Sequence, residues 1–190
     1  DSCTHHWATQ GLNYYVAARL HWNPDLDVDT VVDDYCQSGF GDSAESVKRY
    51  FMRIEELTNE IAAASPTLHP TTPYTSKVIE QLRSILDEAD RQASAPKPRA
   101  RIAFLRRGLE YTEVHASAYH LLAEFDEGGR KMTPELKMRV HATLNKNWEL
   151  SREILFTDFK AINVSRVAWG GWGNFNRLGW KSPTAPKLVK

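Results

Sequence analysis

The chain has 190 residues, of which 24 are basic and 24 acidic, so its formal net charge at pH 7 is zero. Apolar residues make up 42% and charged residues 25%, as in an ordinary globular protein. This balance leaves no basic field for phosphates, which argues against nucleic acid as a partner. The densest basic run, residues 97–101, is expected to be a solvated helix start. No run approaches the roughly 18 apolar residues of a membrane span, so no membrane partner is expected.

The first two predicted elements are helices. Apolar residues at helical spacing predict a first helix that ends before Pro24, because proline cannot continue a helix. Asp27 or Asp29 is expected to cap the second helix. Gly39 suits the left-handed position that commonly ends such a helix.

Two further helices are predicted on either side of a proline-rich loop. Asp42 and Glu45 match a capping box at the start of the third helix, which carries a strong apolar stripe. Three prolines forbid helix through residues 65–74. Thr75 or Ser76 is expected to cap the fourth helix.

The fifth and sixth helices complete the predicted fold. A long helix is expected over residues 98–125, ended by Gly128 and Gly129. Thr133 followed by Pro134 marks the next helix start. The expected apolar stripe of the sixth helix is Leu136, Val140, Leu144, Trp148, Ser151 and Leu155. Because no alternating run of strand length occurs, the predicted fold is all-α, a bundle of five or six mostly antiparallel helices.

The last 30 residues differ from the rest because they mix tryptophan with glycine and asparagine. A regular amphipathic helix is not expected there. We therefore divide the chain into a bundle domain over 1–160 and a Gly/Trp-rich loop and tail over 161–190 that packs on the bundle.

Two clusters of aromatic and amide side chains are candidate ligand-binding residues. Aromatic rings stack on the apolar face of a sugar while amides hydrogen-bond its hydroxyls. The first cluster is Trp7, Gln10, Asn13 and Tyr14, and the second is Trp169, Trp172 and Asn174, with Trp180 beyond it. The alternative interpretation is structural: Trp7 and Tyr15 belong to the core, and the later tryptophans fill grooves between helices.

Metal and catalytic motifs are weak. His115 and His120 are five residues apart, which suits one helix face poorly. Glu110 and Glu113 precede them, but the Glu-x-x-His repeat of carboxylate metal bundles is missing. No phosphate loop or nucleophile elbow occurs, and we expect no metal or cofactor.

The acidic pair Asp33 and Asp34 is expected on a solvated helix face. Two cysteines leave two interpretations open. Cys36 lies on an apolar stripe, which favours a buried free thiol, whereas a bridge to Cys3 would require an oxidising compartment.

One stretch is more specific than the rest. Its motifs are WATQGLNYYV at 7–16, ARLHWNP at 18–24, DVD at 27–29, YC at 35–36 and GFG at 39–41. Residues 7–57 thereby resemble the C-terminal helical region of a bacterial family of uncharacterised, α-glucuronidase-like glycoside hydrolases. In that family a (β/α)-barrel precedes the helical region, and catalytic carboxylates of such barrels lie at strand ends.

The resemblance implies a non-catalytic accessory domain of a glycoside hydrolase-like enzyme. Its implied partners are a polysaccharide or uronic-acid-containing glycan and an upstream barrel domain. It also implies a secreted or periplasmic protein, although no signal peptide is visible in this sequence. The alternatives are a stand-alone glycan-binding module and a helical interaction domain that forms a homodimer.

Overall fold

A computed structural model describes residues 6–64, 71–162 and 175–181 of the chain. These residues form an all-α bundle, as the sequence predicts, and no strand occurs within them. In these ranges, two short 3-10 helices, Gly41–Ser43 and Asn176–Leu178, accompany six α-helices. The α-helices are α1 (Trp7–Trp22), α2 (Val28–Phe40), α3 (Ala44–Ala64), α4 (Ser76–Gln92), α5 (Pro96–Glu127) and α6 (Pro134–Thr157).

Three predicted helix caps are confirmed. The carboxylate of Asp27 accepts the backbone N–H of Thr30 at 2.8 Å, and this bond fixes the start of α2. The hydroxyls of Thr75 and Thr133 cap α4 and α6 in the same way. Each cap satisfies a backbone donor that the first helical turn leaves free.

Two predictions about the junction between α2 and α3 are wrong. Gly39 lies within α2, and Gly41 instead takes the positive φ of 54° that ends the helix. Asp42 lies in the 3-10 helix before α3, and its carboxylate accepts a hydrogen bond from the Ser94 hydroxyl. The capping box with Glu45 is therefore replaced by a tertiary contact to the connection between α4 and α5.

The helices from α3 to α6 pack antiparallel to their successors, as ion pairs and hydrogen bonds at two levels of each helix pair show. Between α5 and α6, Arg107 pairs with Glu153 at 2.6 Å and Glu124 pairs with Arg139 at 2.8 Å. The long helix α5 contacts α1, α2, α4 and α6, so it is the central element of the bundle.

Three apolar clusters form the core, and α5 contributes to each of them. The first cluster joins α2, α3, α4 and the N-terminal half of α5. The second joins the C-terminal half of α5, α6 and residues 175–180. The third packs Ala8 of α1 against Tyr111, Ile154, Ala161 and Ile162.

The predicted stripe of α6 is correct except at its end. Leu136, Val140, Leu144 and Ser151 are buried and Trp148 is partly buried, but Leu155 is 45% exposed and Ile154 takes the inward position. Phe156 and Phe159 nearby are also exposed. At this point the buried face of α6 passes through Ile154 and not through Leu155. The exposed side chains leave an apolar surface at the C-terminal end of the helix.

Two further predictions can be checked in the described ranges. Cys36 is a buried free thiol, as its apolar stripe indicated, and desolvation raises its pKa to about 11. Within the part of the chain that the structure describes, no helix combines the length and apolarity that crossing a bilayer requires.

Candidate ligand-binding site

An open cavity of about 540 Å³ lies where α1, α2 and α5 meet. Its wall is mostly aromatic and holds few polar groups, which is the usual character of a small-ligand site. The aromatic lining residues are Trp7, Tyr14, Tyr15, Tyr35, Phe40 and Phe104, and the others are Gly11, Ala18, Ser38, Gly39, Arg101 and Leu105.

Helical spacing explains why α1 contributes so much of this wall. Trp7, Gly11, Tyr14 and Ala18 recur at intervals of three or four residues, and side chains at such intervals share one helix face. A Cβ at Gly11 would stand 3.4 Å from the Tyr35 hydroxyl, so the glycine lets that ring approach the helix closely.

The start of α1 is held in place by the segment that follows α6. The backbone N–H of Trp7 donates to the carbonyl of Lys160 at 3.1 Å, and that of Ala8 donates to Ala161 at the same distance. His6 provides no side-chain cap. These two bonds therefore satisfy donors that the first turn would otherwise leave free. They also fix the position of the backbone that carries the Trp7 ring.

The rings of the cavity pack in edge-to-face and tilted pairs. Trp7 and Tyr14 meet with their centroids 4.9 Å apart and an interplanar angle of 75°. Tyr15 and Tyr35 join α1 to α2 at 5.2 Å. Trp7 remains 44% exposed, so part of its ring is available to a ligand.

A polar network holds Tyr15 at one edge of the cavity. Its hydroxyl donates to the Asp34 carboxylate at 2.5 Å, and Arg19 donates to both groups at 2.7 Å. Hydrogen bonds from Tyr15 and Arg19 hold the pKa of Asp34 below its ordinary value. Asp34 therefore joins α1 to α2, although its side chain remains 43% exposed on the partly solvated face that the sequence predicts.

Arg101 and Tyr35 supply the other polar groups of the wall. The Arg101 guanidinium donates to the carbonyl of Gly39 at 2.6 Å, which places the charge of α5 beside the end of α2. Burial raises the pKa of the Tyr35 hydroxyl, and the positive charge of Arg101 acts in the opposite direction. The charge of Arg101 and the Tyr35 hydroxyl therefore interact electrostatically in the wall of the cavity.

The structure brings together only part of the first predicted cluster. Trp7 and Tyr14 both line the cavity, whereas Gln10 and Asn13 are exposed and do not. The Asn13 amide donates to the Gln10 side-chain oxygen at 2.7 Å. This pair occupies the face of α1 beside the cavity.

The second predicted cluster falls largely outside the described residues. Trp169, Trp172 and Asn174 are among the residues that the structure does not describe. Trp180 is described and is only 3% exposed, with its indole N–H donating to Asn145 at 3.0 Å. This tryptophan is thus part of the core with α6, in agreement with the structural interpretation for that residue.

Sequence reasoning missed four contributors to the cavity from other elements. Tyr35 and Phe40 come from α2, and Arg101 and Phe104 come from α5, far beyond α1 along the chain. The spacing of residues 101, 104 and 105 marks one helix face, but nothing local indicates which element that face meets.

No group of three or more His, Cys, Asp or Glu side chains suited to a metal ion occurs among the residues that the structure describes. His115 instead stacks on Tyr111 with their ring centroids 5.4 Å apart. The described site is thus one of aromatic rings, hydroxyls and a guanidinium.

Fold and site together define a helical bundle with an aromatic-lined cavity. The family model described as a Domain of unknown function (DUF4838) matches residues 1–52, less than a third of the chain. This segment contributes the α1 and α2 walls of the cavity, whereas Arg101, Phe104 and Leu105 lie outside it. No curated protein and no solved structure matches the chain.

Proposed function

We propose that this chain is a non-catalytic accessory domain of a glycoside hydrolase-like enzyme and that its aromatic cavity binds a saccharide. The observation that carries the proposal is the cavity itself, with Trp7 and Tyr14 on one side and hydroxyls and a guanidinium on the other. Rings of this kind stack on pyranose faces, while the polar groups orient sugar hydroxyls.

Two further observations support this function. The matched family segment contains the α1 and α2 walls of the cavity, and the resemblance of residues 7–57 to helical regions of α-glucuronidase-like enzymes covers the same residues. The described residues of the wall include no carboxylate, and Asp34 bonds to Tyr15 and Arg19 and does not line the cavity. A pair of acids for glycosidic cleavage is therefore absent from this wall, which fits a binding role.

The test is a titration of the 190-residue chain with neutral and uronate-containing oligosaccharides, followed by calorimetry and saturation-transfer NMR. We expect binding by at least one oligosaccharide and a roughly tenfold weaker affinity in Trp7→Ala, because the variant loses a stacking surface.

Trp22→Ala is the matched control for this titration. Trp22 is also on α1, is 92% exposed and does not line the cavity, so its loss should leave the affinity unchanged. Circular dichroism checks that both variants are folded. Absence of binding by every oligosaccharide, or equal affinity in Trp7→Ala and the unmodified chain, would contradict the proposal.

A further inference from the structure

A second cavity adjoins the aromatic one. It has a volume of about 530 Å³ and lies between the end of α2 and the start of α5. Ser38, Gly39 and Arg101 line both cavities, so the two are neighbouring parts of one surface depression. The remaining lining residues of the second cavity are Gln37, Gly41, Ala95, Pro96, Lys97 and Pro98.

The charged residues that line the two cavities have the same sign. Among the described residues, Lys97 and Arg101 are the charged ones in the lining, and no aspartate or glutamate of these ranges lines either cavity. Most arginines in the described part of the chain pair with carboxylates, including the neighbouring Arg99 and Arg106. Neither Lys97 nor Arg101 forms an ion pair there, so their charge is available to an anion.

The side chains would bind such an anion with less help from the backbone than an ordinary first helical turn provides. Pro96 and Pro98 have no backbone N–H, which removes two of the donors that usually hold anions at a helix start. Arg101 is fixed at the boundary by its bond to the Gly39 carbonyl at 2.6 Å, made through one guanidinium nitrogen. Its other nitrogens can donate hydrogen bonds to a second acceptor, as the planar guanidinium group permits.

We propose that the two cavities form one bipartite site for an acidic oligosaccharide. A sugar ring stacks against Trp7 and Tyr14, and a carboxylate or sulfate group on a neighbouring sugar lies between Lys97 and Arg101. This inference rests on the proposed saccharide-binding function and adds the charge of the ligand and the residues that recognise it. An exposed pair of cations adds modest affinity that salt weakens.

The test compares trigalacturonic acid with its fully methyl-esterified form, which has the same rings without the charge. We expect the unmodified chain to bind the acid roughly threefold to tenfold more tightly at low ionic strength, and added salt to reduce the preference. A sulfated oligosaccharide forms a third arm. Tighter binding of this arm than of the ester supports the proposal and identifies sulfate as an accepted group.

Variants assign the preference to the two cations. Lys97→Gln should reduce the preference for acid over ester while leaving the affinity for the ester unchanged, because Lys97 does not line the aromatic cavity. Arg101→Gln should weaken the binding of both ligands, and that of the acid more than that of the ester, because Arg101 lines both cavities. Lys97 makes no hydrogen bond in the described part of the chain, so Lys97→Gln tests the charge without disturbing the fold. Arg91→Gln is the control, because Arg91 is exposed, carries no ion pair there and lines neither cavity.

The outcomes separate this inference from the proposed function. Equal binding of acid and ester, still dependent on Trp7, would overturn the acidic ligand and keep the saccharide site. A preference for acid that persists in both Lys97→Gln and Arg101→Gln would overturn the assignment of residues. Failure of the acid, the ester and the sulfated arm to bind would overturn the inference, and failure of the neutral oligosaccharides as well would overturn the proposed function.

Discussion

At the scale of single residues, Asp34 joins α1 to α2 from a partly exposed helix face. Its carboxylate receives hydrogen bonds from Tyr15, Arg19 and Ser38, which stabilise the ionised form. The pKa of Asp34 is consequently lower in the folded protein than its ordinary value of 3.8. Its ionised form therefore stabilises the fold above pH 3.8, and this stabilisation is lost as the pH falls through the lower folded pKa.

Asp34→Asn should accordingly lower the Tm at neutral pH, because asparagine cannot supply a charged acceptor to Arg19 and Tyr15. The difference in Tm from the unmodified chain should shrink as the pH falls below 3.8. Thermal unfolding in a series of buffers from neutral to acid measures this. Asp25→Asn is the control, since the Asp25 carboxylate accepts no hydrogen bond in the described residues. A Tm difference that stays constant down to the lowest pH would contradict the assigned role.

At the scale of helices, α1 and α5 cross in close contact at a glycine. Gly108 of α5 lies directly against Ala8 of α1, and a Cβ built on Gly108 would come within 2.9 Å of the Ala8 Cβ and 3.0 Å of its carbonyl oxygen. The backbone of Ala8 cannot move away easily, because its N–H is bonded to Ala161. Only glycine at this position allows the two helices to approach so closely.

Gly108→Ala should therefore lower the free energy of unfolding by about 1 to 3 kcal/mol, the usual cost of overpacking. Gly39→Ala is the matched comparison, since it is also a helical glycine but its added Cβ would meet nothing within 4 Å. There the smaller entropy loss of alanine should raise the free energy of unfolding by about 0.5 to 1 kcal/mol. Urea denaturation of the two variants provides the comparison, and a stabilised Gly108→Ala would show that the helices can separate without cost.

At the scale of the whole molecule, α5 links apolar clusters that would otherwise be separate. Leu82 is fully buried in the cluster around α2, α3 and α4, and Leu144 is fully buried in the cluster between α5 and α6. Ile102 and Leu122 place the same helix in both clusters. Loss of packing in one cluster should therefore weaken the other through α5.

We expect Leu82→Ala and Leu144→Ala each to lower the free energy of unfolding by about 2 to 5 kcal/mol. Each variant should still unfold in one transition, with the slope of the denaturation curve unchanged. Hydrogen exchange resolved by peptide provides the second measurement. Leu144→Ala should accelerate exchange in the slowest amides of α3 as well as in α6, whereas acceleration confined to α6 would indicate two independent units.

Much of the local structure of this protein followed from the sequence alone. Helix capping and apolar periodicity were sufficient to predict the all-α class, the caps at Asp27, Thr75 and Thr133, and the buried thiol of Cys36. Capping bonds and apolar stripes depend on residues within about one helical turn of each other, and that range is visible in a linear sequence. The errors at Gly39 and Asp42 lie at a junction where a contact with Ser94 replaces the local cap.

The cavity was decided by tertiary structure. Trp7 and Tyr14 were predicted as ligand-binding residues and lie in its wall, but the opposite wall comes from Arg101 and Phe104 on α5. Only the packing of α1 and α2 against α5 brings these residues together, and it depends on the close approach at Gly108. Helical periodicity indicates which face of a helix is apolar, but the shapes of distant side chains determine which other face it meets.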